Sequence, residues 1–187
     1  MENKFKLCQG VSAEGTENLK SCYRKENDSL TGILSAEKIF SLAEGFIDII
    51  KEPVFFFLEL PDSENENENE VYYLDNCTTE VAHAIMKRYG TVLCEDGVSN
   101  FGFGSNSSNE EIYFREYQEF LIYCPQSETK VKKLFNRLDI GEDKNMKTMW
   151  DLFSDDNPGC LSLVEADGET VFDIPENLKS AGMYKAE

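Results

Sequence analysis

VFFFLELPDSENENENEVYYL, residues 54–74, is the stretch whose reading decides the fold. Its first part, VFFFLEL (54–60), is too short for a buried helix and is rich in β-formers, which predicts a strand covered on both faces in the middle of a sheet. PDSENENENE (61–70) then offers no apolar side chain to bury, and VYYL (71–74) resumes strand character. The three together predict a hairpin with a protruding acidic loop.

Outward from that hairpin the helical signals are clear. Before it, Ser35 can cap a helix in which Ala36, Ile39, Phe40, Ala43, Phe46, Ile47 and Ile50 recur at three- and four-residue spacing until Pro53 stops the pattern. After it, TTEVAHAIMKRYG (78–90) has a Thr cap, an apolar side of Val81, Ala82, Ile85, Met86 and Tyr89, and Gly90 just past its expected end. TVLC (91–94) and NFGFGSNSSNEE (100–111) follow, then EIYFREYQEFLIYC (111–124), whose β-branched and aromatic content predicts two short strands or one bulged strand. Residues 127–138 read as a helix capped by Ser127 and closed by Gly141, with Val131, Leu134, Phe135 and Leu138 inward. A short helix near 147–153 carries Trp150. Beyond NPG (157–159), CLSLVE and TVFDI read as two strands joined across 166–169, and PENLKSAGM as a last helical turn. Residues 1–34 are weakly patterned, with a short helix expected over 17–25. The expected fold is therefore α+β: a mainly antiparallel sheet with inserted amphipathic helices packed on it, a single domain over 35–187 behind an N-terminal segment 1–34.

At 187 residues, 41% hydrophobic and 12% aromatic, the chain is too apolar to be disordered and long enough for one substantial core. No apolar run reaches the roughly 18 to 20 residues that span a bilayer, and MENKFKLCQGVSAEG lacks the apolar core of a signal peptide, so the expectation is a cytoplasmic protein without membrane attachment. Cys8, Cys22, Cys77, Cys94, Cys124 and Cys160 are scattered without a CxxC, which favours reduced thiols. Charge is the strongest global signal, with 36 acidic against 18 basic residues. Residues 61–125 alone hold 13 acids and 3 bases, net −10 of the total −18. Such a field repels nucleic acid and attracts basic partners; solubility alone is the competing explanation.

No stretch carries a specific catalytic or ligand signature. NFGFGS has glycines one residue apart, but a phosphate loop opens a helix and brings a lysine, whereas here strand-like residues follow and no lysine lies between Arg88 and Lys130. The alternation suits an extended segment with an aromatic side, Phe101 and Phe103, and a glycine side that another backbone can approach. His83 is the only histidine, so any Ser/His or Cys/His scheme must use it, and Cys77 near the start of the same helix offers a conceivable pair; a lone histidine on the wetter side of a helix is the simpler reading. Pairs such as Glu110/Glu111, Glu95/Asp96 and Asp155/Asp156 are expected by chance in so acidic a chain. The 62–70 run lacks the glycine of a calcium loop. Trp150, with Met149, Leu152 and Phe153, reads most simply as core, with a surface anchor as the second option. No catalytic, cofactor-binding or metal-binding residue is assigned, and no cofactor is expected.

Two functions fit. The first is a non-enzymatic protein-binding module, for example an immunity-type neutraliser of a basic toxin, with a basic protein as partner and no nucleic acid or membrane. Its contact residues would be Glu64, Glu66, Glu68 and Glu70 on the acidic loop together with Phe101, Phe103, Tyr113 and Tyr117. The second is an enzyme or small-molecule sensor whose site converges from dispersed residues.

Overall fold

A computed structural model describes residues 4–62, 65 and 68–187 of the chain. In chain order the elements are β1 (Val11–Ser12), β2 (Cys22–Glu26), β3 (Ser29–Ile33), α1 (Ala36–Ile47), β4 (Val54–Pro61), β5 (Asn69–Cys77), α2 (Thr79–Glu95), β6 (Asn100–Ser105), β7 (Glu110–Arg115), β8 (Glu119–Tyr123), α3 (Glu128–Arg137), β9 (Gly141–Glu142), β10 (Cys160–Leu161), α4 (Ile174–Leu178) and β11 (Tyr184–Lys185). Nine strands form one sheet in the order β11-β5-β4-β6-β7-β8-β3-β2-β9, and β1 pairs with β10 apart from it. All pairings in the large sheet are antiparallel except that of β2 with β9. The fold is α+β with a mixed sheet.

The opening stretch folds as its composition dictates. β4 and β5 pair from Val54↔Cys77 to Pro61↔Asn69, and β6 takes the other edge of β4, which makes it an interior strand. Alternation then sorts its side chains. Phe56 and Leu58, 1% and 0% exposed, face the helices; Phe55 and Phe57 face the other way. The β6 glycines make room there: a Cβ on Gly102 would lie 2.5 Å from the Phe57 ring, and one on Gly104 2.3 Å from the Phe55 ring.

α1, α2 and α3 lie together on one face. Gly45 of α1 sits against Leu134 of α3, Gly90 of α2 sits under the Phe40 ring of α1, and Phe135 of α3 packs on Tyr23 and Phe120 of the sheet. Phe46, Phe103, Phe120 and Phe135 are fully buried between the layers. Thr78 caps α2 by accepting from the Val81 N–H at 3.4 Å. Ser35 stands at the N-cap of α1 but turns its hydroxyl to Glu37 and the Lys6 N–H.

Several expectations are corrected. Within residues 1–34 the structure places strand: β3 pairs with β8 over five positions, Ser29↔Tyr123 to Ile33↔Glu119. The helix expected over 17–25 is a 3-10 turn, Thr16–Asn18, followed by strand, because pairing with β3 outweighs a weak local periodicity. α2 passes through Gly90 to Glu95, so TVLC is helical; Gly90 answers the close approach of Phe40, and Val92 and Leu93 extend the buried side. Val81, expected inward, is 40% exposed. After α3 it is Asp139, at φ 53°, that takes the left-handed position, and Gly141 opens β9. TVFDI forms a 3-10 turn leading into α4, with a Thr170/Asp173 capping box, and Val171 and Ile174 are buried three residues apart.

Candidate functional site: the open face of the sheet

The helices do not cover the second face of the sheet. Alternation brings Tyr73 and Asp75 of β5, Phe55, Phe57 and Glu59 of β4, Glu111, Tyr113 and Arg115 of β7, and Glu119, Leu121 and Tyr123 of β8 to this side, and Tyr184 of β11 joins them beside Tyr73. Their rings form a continuous stripe. Tyr184 and Tyr73 are 6.3 Å apart between centroids, Tyr73 and Phe57 6.1 Å, and Phe57 and Tyr113 5.3 Å, the last pair meeting across Gly102. Tyr184 also donates to Asp75 at 2.5 Å.

At one end the stripe opens into a cleft of about 230 Å³ lined by Glu59, Asn69, Asn100, Tyr113, Arg115, Glu116, Glu119 and Trp150. Glu59 Oε2 accepts from the Tyr113 hydroxyl at 2.5 Å and from Asn100 Nδ2 at 3.2 Å. Burial first, then the bond to Glu59, holds the Tyr113 phenol far above its ordinary pKa, so it serves as a donor and not as a nucleophile. Burial also raises the carboxyls of Glu111 and Glu119; at Glu119 a hydrogen bond from Thr148 and the nearby Arg115 and Arg24 oppose it. The Asn100 Oδ1 and the Thr31 hydroxyl on this face are buried without a partner. The β7–β8 connection that shapes the cleft is unusual, because Tyr117 and Gln118 are both left-handed, at φ 55° and 61°. The Gln118 amide compensates: it accepts from the Cys8 N–H and donates to the carbonyls of Lys6 and Leu34. Tyr117 packs edge-on against Trp150 and Phe153 at 4.8 and 4.6 Å.

The residues expected at a partner contact are dispersed. Glu64 and Glu66 lie outside the described residues. Glu68 is exposed, while Glu70 is engaged on the helix side, bonded to Lys185 at 2.7 Å and to the Tyr72 hydroxyl at 2.5 Å. Phe101 and Phe103, 2% and 0% exposed, belong to the core: their strand is interior, so the aromatic side meets the helices and the glycine side faces the open surface. Tyr117 is buried as well. Of the expected contact aromatics, Tyr113 alone stands on the open face. Trp150, read as core, is 51% exposed. Glu59, Asn100, Arg115, Glu116 and Glu119 were missed, though the alternation of EIYFR, with 111, 113 and 115 opposite to 112 and 114, is the signal that places β7 side chains here.

Other candidates do not assemble. His83 Nδ1 lies 3.0 Å from Glu44 and Nε2 2.9 Å from Asp48, while the Cys77 thiol turns to the Leu74 carbonyl, so the two form no pair. Burial pushes the Cys94 thiol up to about 12 and those of Cys22 and Cys124 to about 11, the opposite of activation. Among the described residues no group of three or more His, Cys, Asp or Glu is placed to hold a metal ion, and no helix is long and apolar enough to cross a membrane. A larger concavity, about 850 Å³ beside the N-terminal residues, mixes Lys4, Lys20 and Lys38 with five carboxylates and is crossed by a Lys20–Asp143 ion pair at 2.8 Å. No protein-family model, curated protein or solved structure matches the chain.

Proposed function

We propose that this protein is a non-enzymatic binding module whose open sheet face receives a basic protein, in the manner of an acidic neutraliser of a basic toxin. The observation that carries this reading is an uncovered face on which an aromatic stripe, Tyr184–Tyr73–Phe57–Tyr113, lies among Asp75, Glu59, Glu111 and Glu119. Half-buried tyrosines give contact area at small entropic cost, and carboxylates beside them select a cationic surface. The net −10 of residues 61–125 adds long-range attraction, and the acidic run 61–70 connects β4 to β5.

The test is binding kinetics against a basic protein that co-purifies with the tagged chain or is encoded beside it. Reversing Glu64, Glu66, Glu68 and Glu70 to Lys is expected to slow association, more at low salt than at high; dissociation is read on the reversals of Glu64, Glu66 and Glu68 alone, because Glu70 holds Lys185 of the strand that carries Tyr184, and is expected to change little. Tyr73→Ala and Glu111→Lys are expected to speed dissociation. An association rate indifferent to salt and to the four reversals, with dissociation indifferent to Tyr73 and Glu111, overturns the reading.

A further inference from the structure

We infer that the cleft at the end of the aromatic stripe is a socket for a guanidinium group, so that an arginine side chain is what it takes from its partner; this rests on the binding reading above and deepens it. Three carboxylates, Glu59, Glu116 and Glu119, line a cleft of about 230 Å³ against one cation, Arg115, which leaves the site net −2. Asn100 is only 6% exposed and its Oδ1 has no partner. The amide cannot simply be turned over, because Nδ2 is the atom that donates to Glu59; exchange would set two acceptors against each other. The wall of the cleft therefore holds an unused buried acceptor as well as excess negative charge, and both call for a cationic donor.

Geometry selects guanidinium over ammonium. A planar fork can bond a carboxylate and an amide oxygen together while its face stacks on an aromatic ring, which a point-charge ammonium does less well. Trp150, 51% exposed and held by Tyr117 and Phe153, supplies that ring at the rim. The chain's own Arg115 already illustrates the affinity of the place, its Cζ lying 5.7 Å from the centre of the Tyr113 ring.

Trp150 is the only tryptophan, so its fluorescence reports on the cleft alone. The probe is N-acetyl-arginine amide, titrated against the intact protein beside its lysine and citrulline counterparts. The expected result is a saturable change with the arginine compound, binding at least several-fold weaker for lysine, and none for citrulline, which keeps the shape without the charge. Glu119→Gln and Asn100→Leu are each expected to weaken arginine binding roughly ten-fold. Arg115→Ala is expected to strengthen it, by removing the resident cation. Circular dichroism identifies any variant that fails to fold; Glu119, partly buried, is less subject to that failure than the buried Asn100, and the exposed Arg115 least of the three. A titration without saturation, an equal response to citrulline, or binding unmoved by Glu119→Gln overturns the socket. The two readings fail separately: arginine binding with a partner indifferent to Tyr73 and Glu111 leaves the socket and removes the docking face, and the converse removes the socket alone.

Discussion

The two faces of the large sheet are built from the same strands and end in opposite states. On the helix side, Phe56, Leu58, Phe103, Ile112 and Ile122 are at most 1% exposed under α1, α2 and α3. On the open side, aromatic rings cover one another and the β6 glycines, and carboxylates stand between them unneutralised by a second layer. The difference teaches that burial alone does not make both faces core. The helix face is closed by shape, the open face by rings lying down over Gly102 and Gly104 with partly buried carboxylates between them.

Truncation on the covered face should break the molecule most. Phe56→Ala is expected to cost about 3 to 5 kcal/mol, by lost transfer energy and an unfilled cavity, whereas Phe57→Ala should cost less, about 3 kcal/mol, because that ring, though only 4% exposed, is buried by the neighbouring rings of the open face and not in the main core, so the gap it leaves can fill with water. Denaturant unfolding of the two variants measures the contrast, and equal costs would erase the distinction between the faces. Next in size is Gly102→Ala. Its methyl would lie 2.1 Å from the Ile112 carbonyl as well as against Phe57, so a loss of about 2 kcal/mol is expected, read as a lowered midpoint together with a changed Trp150 emission if the strand shift reaches the cleft.

Proton linkage sharpens the comparison further. His83 bridges α1 and α2 on the helix side; burial opposes its charge, but the hydrogen bonds and charges of Glu44 and Asp48 prevail and raise its pKa. Its contribution is therefore complete below about 6.5 and is lost as pH rises through the raised value. On the open face the raised Glu111 and Glu119 have the same sign in a lower window, complete below about 4.5 and lost as pH climbs through their raised values. Melting temperatures across pH should show two descending components, with His83→Gln abolishing only the upper one and Glu111→Gln reducing only the lower. The smallest effect is expected from the acidic loop. Replacing 62–68 by a two-residue turn should change stability by less than about 1 kcal/mol, since doubling a loop costs only about 0.6 kcal/mol, while keeping Glu70 preserves its bond to Lys185.

Much of this architecture was legible from local pattern. The β4–β5 hairpin, α1, the start of α2, α3 and the paired strands of 111–124 follow from periodicity, while of the expected caps Thr78 bonds its helix and Ser35 and Ser127 do not. What escaped depends on partners distant in sequence. Gly90 looks like a helix end until Phe40, fifty positions earlier, is seen lying on it. Residues 22–33 look unpatterned until β8 is paired beside them. The candidate site escaped for the same reason: Glu59, Asn100, Tyr113 and Trp150 come from four separate segments, and only the order of strands brings them together. Phe101 and Phe103 were drawn to the surface by the attraction of aromatic residues as contact makers, whereas an interior strand needs them for the core.

The place of β3 in the sheet constrains how the chain is assembled in time. The β2–β3 and β4–β5 hairpins and the β6–β7–β8 meander each close over short separations, but β3 at 29–33 finds its outer neighbour only in β8 at 119–123. During synthesis the first hairpin therefore emerges with an apolar edge and must wait for some ninety further residues before that edge is paired. The acidic run at 61–70 is made within that interval, and net negative charge on growing chains that still carry an unpaired edge discourages one from adding to another.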